Sequence, residues 1–104
     1  MIAGDEMGKG IHTKEVEQLF DAIQTLESRE ECFAFFEDVC TVNEILSIAQ
    51  RLQVAKMLRE HHTYTEVAEQ TGASTATISR VNRSLVYGND GYDMVFERMK
   101  EQEE

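Results

Sequence analysis

A run of short polar side chains and two arginines follows Gly72 and has the composition of a surface that contacts nucleic acid. Hydroxyl and amide groups of this size reach base edges in the major groove, and guanidinium groups bind phosphate or guanine. We expect these contacts from Ser74, Thr75, Ala76, Thr77, Ser79, Arg80, Asn82 and Arg83. No aromatic or acidic side chain lies between Ser74 and Arg83 to block the approach. The segment therefore predicts an interface with double-stranded DNA.

The spacing around this run predicts a helix, a sharp turn and a second helix over about 64–86. Val67 is expected to pack inward from the first helix, and Gly72 to form the turn because glycine adopts left-handed backbone most easily. Ser74 or Thr75 is expected to cap the second helix. Apolar residues then recur on its buried face at Ile78, Val81 and Leu85. This spacing is typical of the helix-turn-helix motif, and a packed helical hairpin with a solvated polar face is the alternative.

The remainder of the chain has the apolar period of amphipathic helices and no strand pattern. Apolar residues at helical spacing predict a helix over about 14–27. Capping boxes predict helix starts at three positions, Ser28, Thr41 and Thr63. Asp90 and Asp93 open a last helix, predicted from Tyr92 to about Gln102. Together these elements predict an all-α fold of six helices.

Length and composition limit the class of protein. A chain of 104 residues with 41% hydrophobic content has room for one domain with a modest core. We assign that domain to 13–104 and expect a flexible N-terminal arm over 1–12, where three of the six glycines lie. No apolar run approaches the length of about 18 residues that spans a membrane, and we expect no signal peptide because the start lacks its apolar run. We expect a cytoplasmic protein.

The acidic charge is unevenly distributed along the chain. The formal net charge is −10, which argues at first against a phosphate-rich partner. Residues 50–89, however, contain five basic and three acidic residues, a balance of +2. The rest of the chain contains five basic and 17 acidic residues, a balance of −12. The acidity therefore does not exclude DNA, and it predicts weak nonspecific binding.

The predicted second helix is apolar on nearly all sides and indicates a partner subunit. Phe33, Phe35 and Phe36 point in more than one direction, so a monomer would leave one side exposed to water. A homodimer that wraps the first two helices of both subunits together would bury both sides. Cys32 and Cys40 are about 12 Å apart on such a helix, too far to bridge. We expect reduced thiols, with a disulfide between subunits as the alternative.

Residues from about Thr13 to Glu97 resemble the Trp-repressor superfamily, in its Trp-repressor-like branch of the YerC/YecD type. The resemblance rests on the segments Thr41–Glu44 and Gln50–Leu52, and above all on the run from Thr71 to Arg80 with Ser84-Leu85. It implies an intertwined homodimer whose two recognition helices lie about 34 Å apart, one DNA turn. It also implies a sequence-specific transcription regulator, a repressor, that binds a palindromic operator.

The resemblance further implies a place for a corepressor, because the Trp repressor holds L-tryptophan between its central helix and its recognition helix. The matching polar positions are Thr41, Arg51, Arg80 and Ser84. Two departures from the Trp repressor argue against an L-tryptophan pocket in this chain. Val81 stands where the repressor has a glycine beside the indole ring, and one residue is missing near 59–62. We expect no corepressor, with a small ligand other than L-tryptophan as the alternative. Arg51 has a further interpretation, an ion pair with Glu44 or with an acid of the partner subunit.

Patterns for catalysis or metal binding do not emerge from the sequence. His61 and His62 are adjacent, so on a helix they diverge and cannot chelate one metal ion. The acidic residues fit solvated helix faces, and no arrangement of a nucleophile and its base has a sequence signature. We predict that the protein is not an enzyme. The alternatives to a DNA-binding regulator are a protein-interaction module that keeps the helix-turn-helix frame, and a sensor that binds DNA only with a small molecule.

Overall fold

The computed structural model describes residues 11–103 and consists of six α-helices with no strand in that range. The helices are α1 (Lys14–Ile23), α2 (Arg29–Val39), α3 (Val42–Arg59), α4 (Tyr64–Thr71), α5 (Thr75–Tyr87) and α6 (Gly91–Glu103). The prediction of a six-helix, all-α fold is therefore confirmed. The predicted arm over 1–12 lies outside the described residues except for its last two positions. No helix in the described range is long and apolar enough to cross a membrane.

The first helix is shorter than the sequence predicts, because its C-terminal turn is closed by local hydrogen bonds. α1 ends at Ile23 rather than near 27. The Thr25 hydroxyl donates to the Ala22 carbonyl over 2.7 Å, and the Thr25 and Leu26 amides bond three residues back. Threonine side chains compete in this way with the helical ladder. The helix consequently ends one turn early, and Ser28 caps α2 by accepting from the Glu31 amide.

The described chain divides into two compact units, with the boundary between Thr41 and Val42. In the first unit, neither α1 nor α2 contains a buried residue. Its aromatic contact is between Phe35 and Phe36, whose rings meet edge to face at a centroid distance of 5.4 Å. Large apolar side chains such as Phe20 and Phe33 stay more than half exposed. The prediction of one domain over 13–104 stays a prediction.

The second unit contains the buried core of the described chain, and α3 lies at its centre. α3 contacts α4, α5 and α6, and α4 also contacts α5. The core consists of Val54, Ala55, Val67, Ala73, Ile78 and Val81, each at most 6% exposed. Only the C-terminal half of α3 contributes to it, whereas Val42, Leu46 and Ile48 in the other half are exposed. The core therefore fixes α4 and α5 against the end of α3.

A residue in left-handed backbone ends α3. The His62 amide donates to the Met57 carbonyl over 3.1 Å and the His61 amide to the Leu58 carbonyl over 3.0 Å. These two bonds form a Schellman motif, which places its C′ residue in the left-handed region. That residue is His61, at φ 69°. Glycine is the usual residue here because a Cβ atom raises the energy of this conformation.

α6 is attached to α3 through Arg59, whose role the sequence did not indicate. The Arg59 guanidinium donates to Asp93 over 2.8 Å and to Glu97 over 3.2 Å. It also lies 5.3 Å from the centre of the Phe96 ring, within the range of a cation–π contact. Tyr92 stacks on Phe96, and both rings pack against the core. The first two turns of α6 are thus held to the end of α3.

Candidate nucleic-acid interface

α4 begins with a complete capping box. The Thr63 hydroxyl accepts from the Glu66 amide over 3.1 Å, and the Glu66 carboxylate accepts from the Thr63 amide over 2.9 Å. His62 lies 3.2 Å from the same carboxylate. The Thr63 amide first, and then His62, lower the pKa of Glu66 from its ordinary value of 4.5 because both stabilise the ionised form. The predicted capping box at this position is confirmed, and it fixes where α4 begins.

The turn between α4 and α5 depends on Gly72 and Thr71. Gly72 has left-handed backbone, with φ 75° and ψ 5°. Its amide caps α4 by donating a hydrogen bond to the Ala68 carbonyl. The Thr71 hydroxyl donates to the Val67 carbonyl over 2.7 Å and accepts from the Ala73 amide over 3.1 Å. Ala73 is buried in the core. The turn therefore redirects the chain and attaches it to the core within three residues, as the glycine position predicts.

Ser74 is the residue that caps α5, which settles the choice between Ser74 and Thr75. Its hydroxyl accepts from the Thr77 amide over 3.1 Å and donates to the Thr77 hydroxyl over 3.1 Å. Thr77 is half-buried, whereas Thr75 and Ala76 are exposed on the first turn. Of the residues predicted to contact DNA, Ser74 and Thr77 thus also have a structural role, the capping of α5. They fix the start of the helix that carries the others.

The outward face of α5 is polar and free of acidic residues. Ser79, Arg80 and Arg83 are exposed and Asn82 is half-buried, while Ile78 and Val81 on the opposite face are 1% exposed. α5 is also unlike the other five helices, each of which has an acidic residue in its first turn. The unsatisfied amides at a helix start carry partial positive charge, so α5 presents that charge without a carboxylate in its own first turn. This face suits an anionic partner.

The positive balance of residues 50–89 is smaller in the structure than in the sequence. Arg59 is one of the five basic residues in this range, and its charge is compensated by Asp93 and Glu97 of α6. Without Arg59, four basic residues remain against three acidic ones. The electrostatic attraction of this surface for phosphate therefore depends mainly on Arg80 and Arg83, the two that lie on α5.

The residues that match the corepressor pocket are distributed over both units. Thr41 ends the first unit, and Arg51, Arg80 and Ser84 lie on α3 and α5 of the second. The Arg51 guanidinium donates to the Ser47 hydroxyl over 3.1 Å, one turn back on its own helix. Between α3 and α5, the side chain of Val81 is fully buried with Val54 and Ala55. A buried valine therefore stands where the resemblance implies a glycine beside the ring of a ligand.

An open groove of about 360 Å³ lies instead between α3 and α4. It is lined by Leu46, Ala49, Gln50, Gln53, Met57, Gln70 and Thr71. None of the residues that match the corepressor pocket lines it. At its side, the Gln50 amide donates to the Thr71 carbonyl over 3.1 Å and so joins α3 to the turn before α5. No sequence pattern indicated this contact, since a single glutamine on a helix has no distinctive spacing.

Among residues 11–103, no cluster of three or more histidine, cysteine or acidic side chains is arranged to hold a metal ion. His62 faces Glu66 and, at 3.8 Å, Glu60, and this group is accounted for by the capping of α4. Cys32 and Cys40 are both free thiols.

Comparison with known proteins identifies the family of this fold. The sequence model described as Trp repressor protein matches residues 14–100. The uncharacterized protein YerC of Bacillus subtilis (strain 168) is 60% identical over 90 residues, which are 86% of either chain. A TrpR-like protein from Eubacterium eligens ATCC 27750 superposes with a TM-score of 0.85 at 67% identity, covering 88% of this chain and 95% of its own.

A further solved structure, of a candidate Trp repressor from Staphylococcus aureus, superposes with a TM-score of 0.84 at 56% identity. The match covers 88% of this chain and 92% of that one. The range matched by the family model includes α4, the turn at Gly72 and α5. The chain belongs to the Trp repressor family, whose members are regulatory DNA-binding proteins and not enzymes.

Proposed function

We propose that this protein is a cytoplasmic transcription regulator that binds double-stranded DNA sequence-specifically through the exposed face of α5, and that it acts as a repressor. The observation that carries the proposal is the two-sided character of α5. Ile78 and Val81 hold one side in the core, and the other side presents an acid-free polar face with Arg80 and Arg83. A helix supported in this way enters the major groove as a rigid element.

The side chains of α5 divide into two kinds of contact. Thr75, Ser79 and Asn82 are short donors and acceptors, which read base edges directly or through water. Arg80 and Arg83 bind phosphate, or guanine where the helix lies deep in the groove. Ser74, as the cap of α5, holds the helix start at which a backbone phosphate is favourably bound.

We further propose that the protein binds DNA as an intertwined homodimer. α1 and α2 bury no residue within one chain, and the N-terminal half of α3 leaves Val42, Leu46 and Ile48 exposed. Exposed apolar surface of this extent in a small protein marks an interface. A two-fold dimer covers the same faces in both subunits and repeats α5 about one DNA turn away. The operator is then palindromic.

The test is selection of binding sites from random duplex DNA with the purified full chain, in the presence and absence of a cell metabolite extract. A palindrome enriched in both conditions is the expected result. Arg83→Ala should weaken binding to the selected duplex, while Arg98→Ala removes the same charge from α6 and should not. Enrichment only with the extract would favour the ligand-dependent sensor. No enrichment in either condition would overturn the proposal and favour the protein-interaction module, for which the small positive balance of residues 50–89 argues.

A further inference from the structure

The contact between α3 and α5 is filled by the protein's own side chains. Val81 is 1% exposed and packs in one cluster with Val54 and Ala55 of α3, which are fully buried. Ile78, one turn earlier on α5, completes the contact at 1% exposure. Protein interiors of this kind are packed to the density of organic crystals, so a ligand could enter only by displacing these side chains.

α5 is also fixed at its start. Its start is held by the Ser74 cap, by the buried Ala73 and by the Thr71 hydroxyl, which bonds both α4 and the turn. The Gln50 amide ties the same turn to α3. Every one of these contacts lies within the second unit of a single chain.

We propose that Val81 is a positioning residue that sets the orientation of α5 for DNA binding without a bound small molecule. The inference rests on the proposed function, since it concerns how the same DNA-binding helix is regulated. A helix already seated on α3 by direct packing needs no ligand to complete the contact, so its binding-competent state is populated in the free protein. Control of transcription then acts through the amount of protein or through a site outside the α3–α5 contact.

The first arm of the test measures DNA binding by protein freed of metabolites. The full chain is unfolded in guanidinium chloride, dialysed and refolded, and its affinity for the selected duplex is measured with and without metabolite extract. We expect the two affinities to agree within about twofold. Refolded protein that loses binding and regains it at least about tenfold with the extract would overturn the proposal.

The second arm varies the packing. Val81→Ala and Val81→Gly should progressively lower the affinity for the selected duplex towards the affinity for random duplex, because α5 loses its orientation while its arginines remain. Val81→Ile keeps the contact filled and should retain the difference between the two duplexes. Val95→Ala, at an exposed valine on α6, should change neither affinity. A series in which Val81→Gly retains full selectivity would contradict a positioning role.

The third arm needs no DNA and separates this inference from the proposed function. Hydrogen exchange of the refolded, ligand-free chain should show amides of 78–87 protected to a degree comparable with those of 54–59. Amides of α5 that exchange at the rate of an unfolded chain would overturn the inference, whatever the protein binds. Protected α5 amides in a protein that selects no duplex would instead refute the proposed function and leave the packing argument standing.

Discussion

Arg59 Nε lies 2.8 Å from Asp93 Oδ1, and this ion pair joins the last residue of α3 to the first turn of α6. Glu97 adds a second carboxylate at 3.2 Å and Phe96 adds a ring beneath the guanidinium. The Arg59 side chain is 30% exposed, so these contacts are only partly screened by water. The group is therefore stronger than an isolated surface pair, for which stabilisation is about 0.2–1 kcal/mol.

Loss of this group should lower stability. We expect Arg59→Ala to reduce the free energy of unfolding by about 1–2 kcal/mol, through two ion pairs and a cation–π contact. Chemical denaturation measures it, and a double-mutant cycle with Asp93→Asn isolates the pair. Arg98→Ala, on α6 as well, is the control. Additive effects of Arg59→Ala and Asp93→Asn would show that the pair contributes nothing.

Replacing His61 by glycine should stabilise the protein. His61 has a φ of 69°, where a Cβ atom costs about 1 kcal/mol, so His61→Gly should gain about that amount. His61→Ala removes the imidazole but keeps the Cβ atom and should leave stability nearly unchanged. If the alanine variant gained as much as the glycine variant, the imidazole rather than the backbone would be the source of strain.

Gly88 should not tolerate a side chain. A Cβ atom at this position would collide with the Ser84 carbonyl, and that carbonyl is part of the last turn of α5. Gly88→Ala should therefore cost about 1–3 kcal/mol, the range for overpacking. A Cβ atom on Gly91 meets no atom within 4 Å, so Gly91→Ala is the matched control. Thermal unfolding measures the stability of both variants. An equal loss of stability in Gly88→Ala and Gly91→Ala would contradict the collision with the Ser84 carbonyl.

The carboxylate of Glu66 should contribute to stability in a pH-dependent way. Its pKa is lowered in the folded protein, chiefly by the Thr63 amide, so its contribution is present above the unfolded value near 4.5 and is lost as the pH falls through the folded pKa. Glu66→Gln keeps an acceptor oxygen but does not titrate. The stability difference between wild type and this variant should shrink below about pH 4.5, whereas Glu69→Gln on the same helix provides the comparison. A difference that stays constant across this range would rule out the linkage.

Arg83 should contribute to DNA binding through charge. If it contacts one phosphate, Arg83→Ala lowers affinity for all duplexes and reduces the slope of log affinity against log salt by about one. Arg98→Ala should leave the slope unchanged. A selectivity change at one base pair with the wild-type slope would instead place Arg83 on a guanine.

The sequence predicted the elements of the second unit well because their signals are local. Gly72 marks the turn, Thr63 and Glu66 mark a helix start, and Ile78 and Val81 repeat at helical spacing. The interactions of Arg59 and Gln50 could not be predicted, since their partners lie 38 and 21 residues away and no local pattern specifies them. The end of α1 was misplaced for a similar reason: the apolar period continues to Leu26, but the Thr25 hydroxyl had already closed the helix.

The division of α3 into two halves has a consequence for how the chain tolerates mutation. Val54 and Ala55 belong to a core whose members among the described residues all lie in the same unit, so substitutions there are compensated by residues of α4 and α5 in the same chain. Val42, Leu46 and Ile48 have exposed side chains. Substitutions at these positions are compensated by residues of the surface that covers them. One helix of 18 residues thus belongs to two groups of covarying positions, and aligned relatives should separate them near its midpoint.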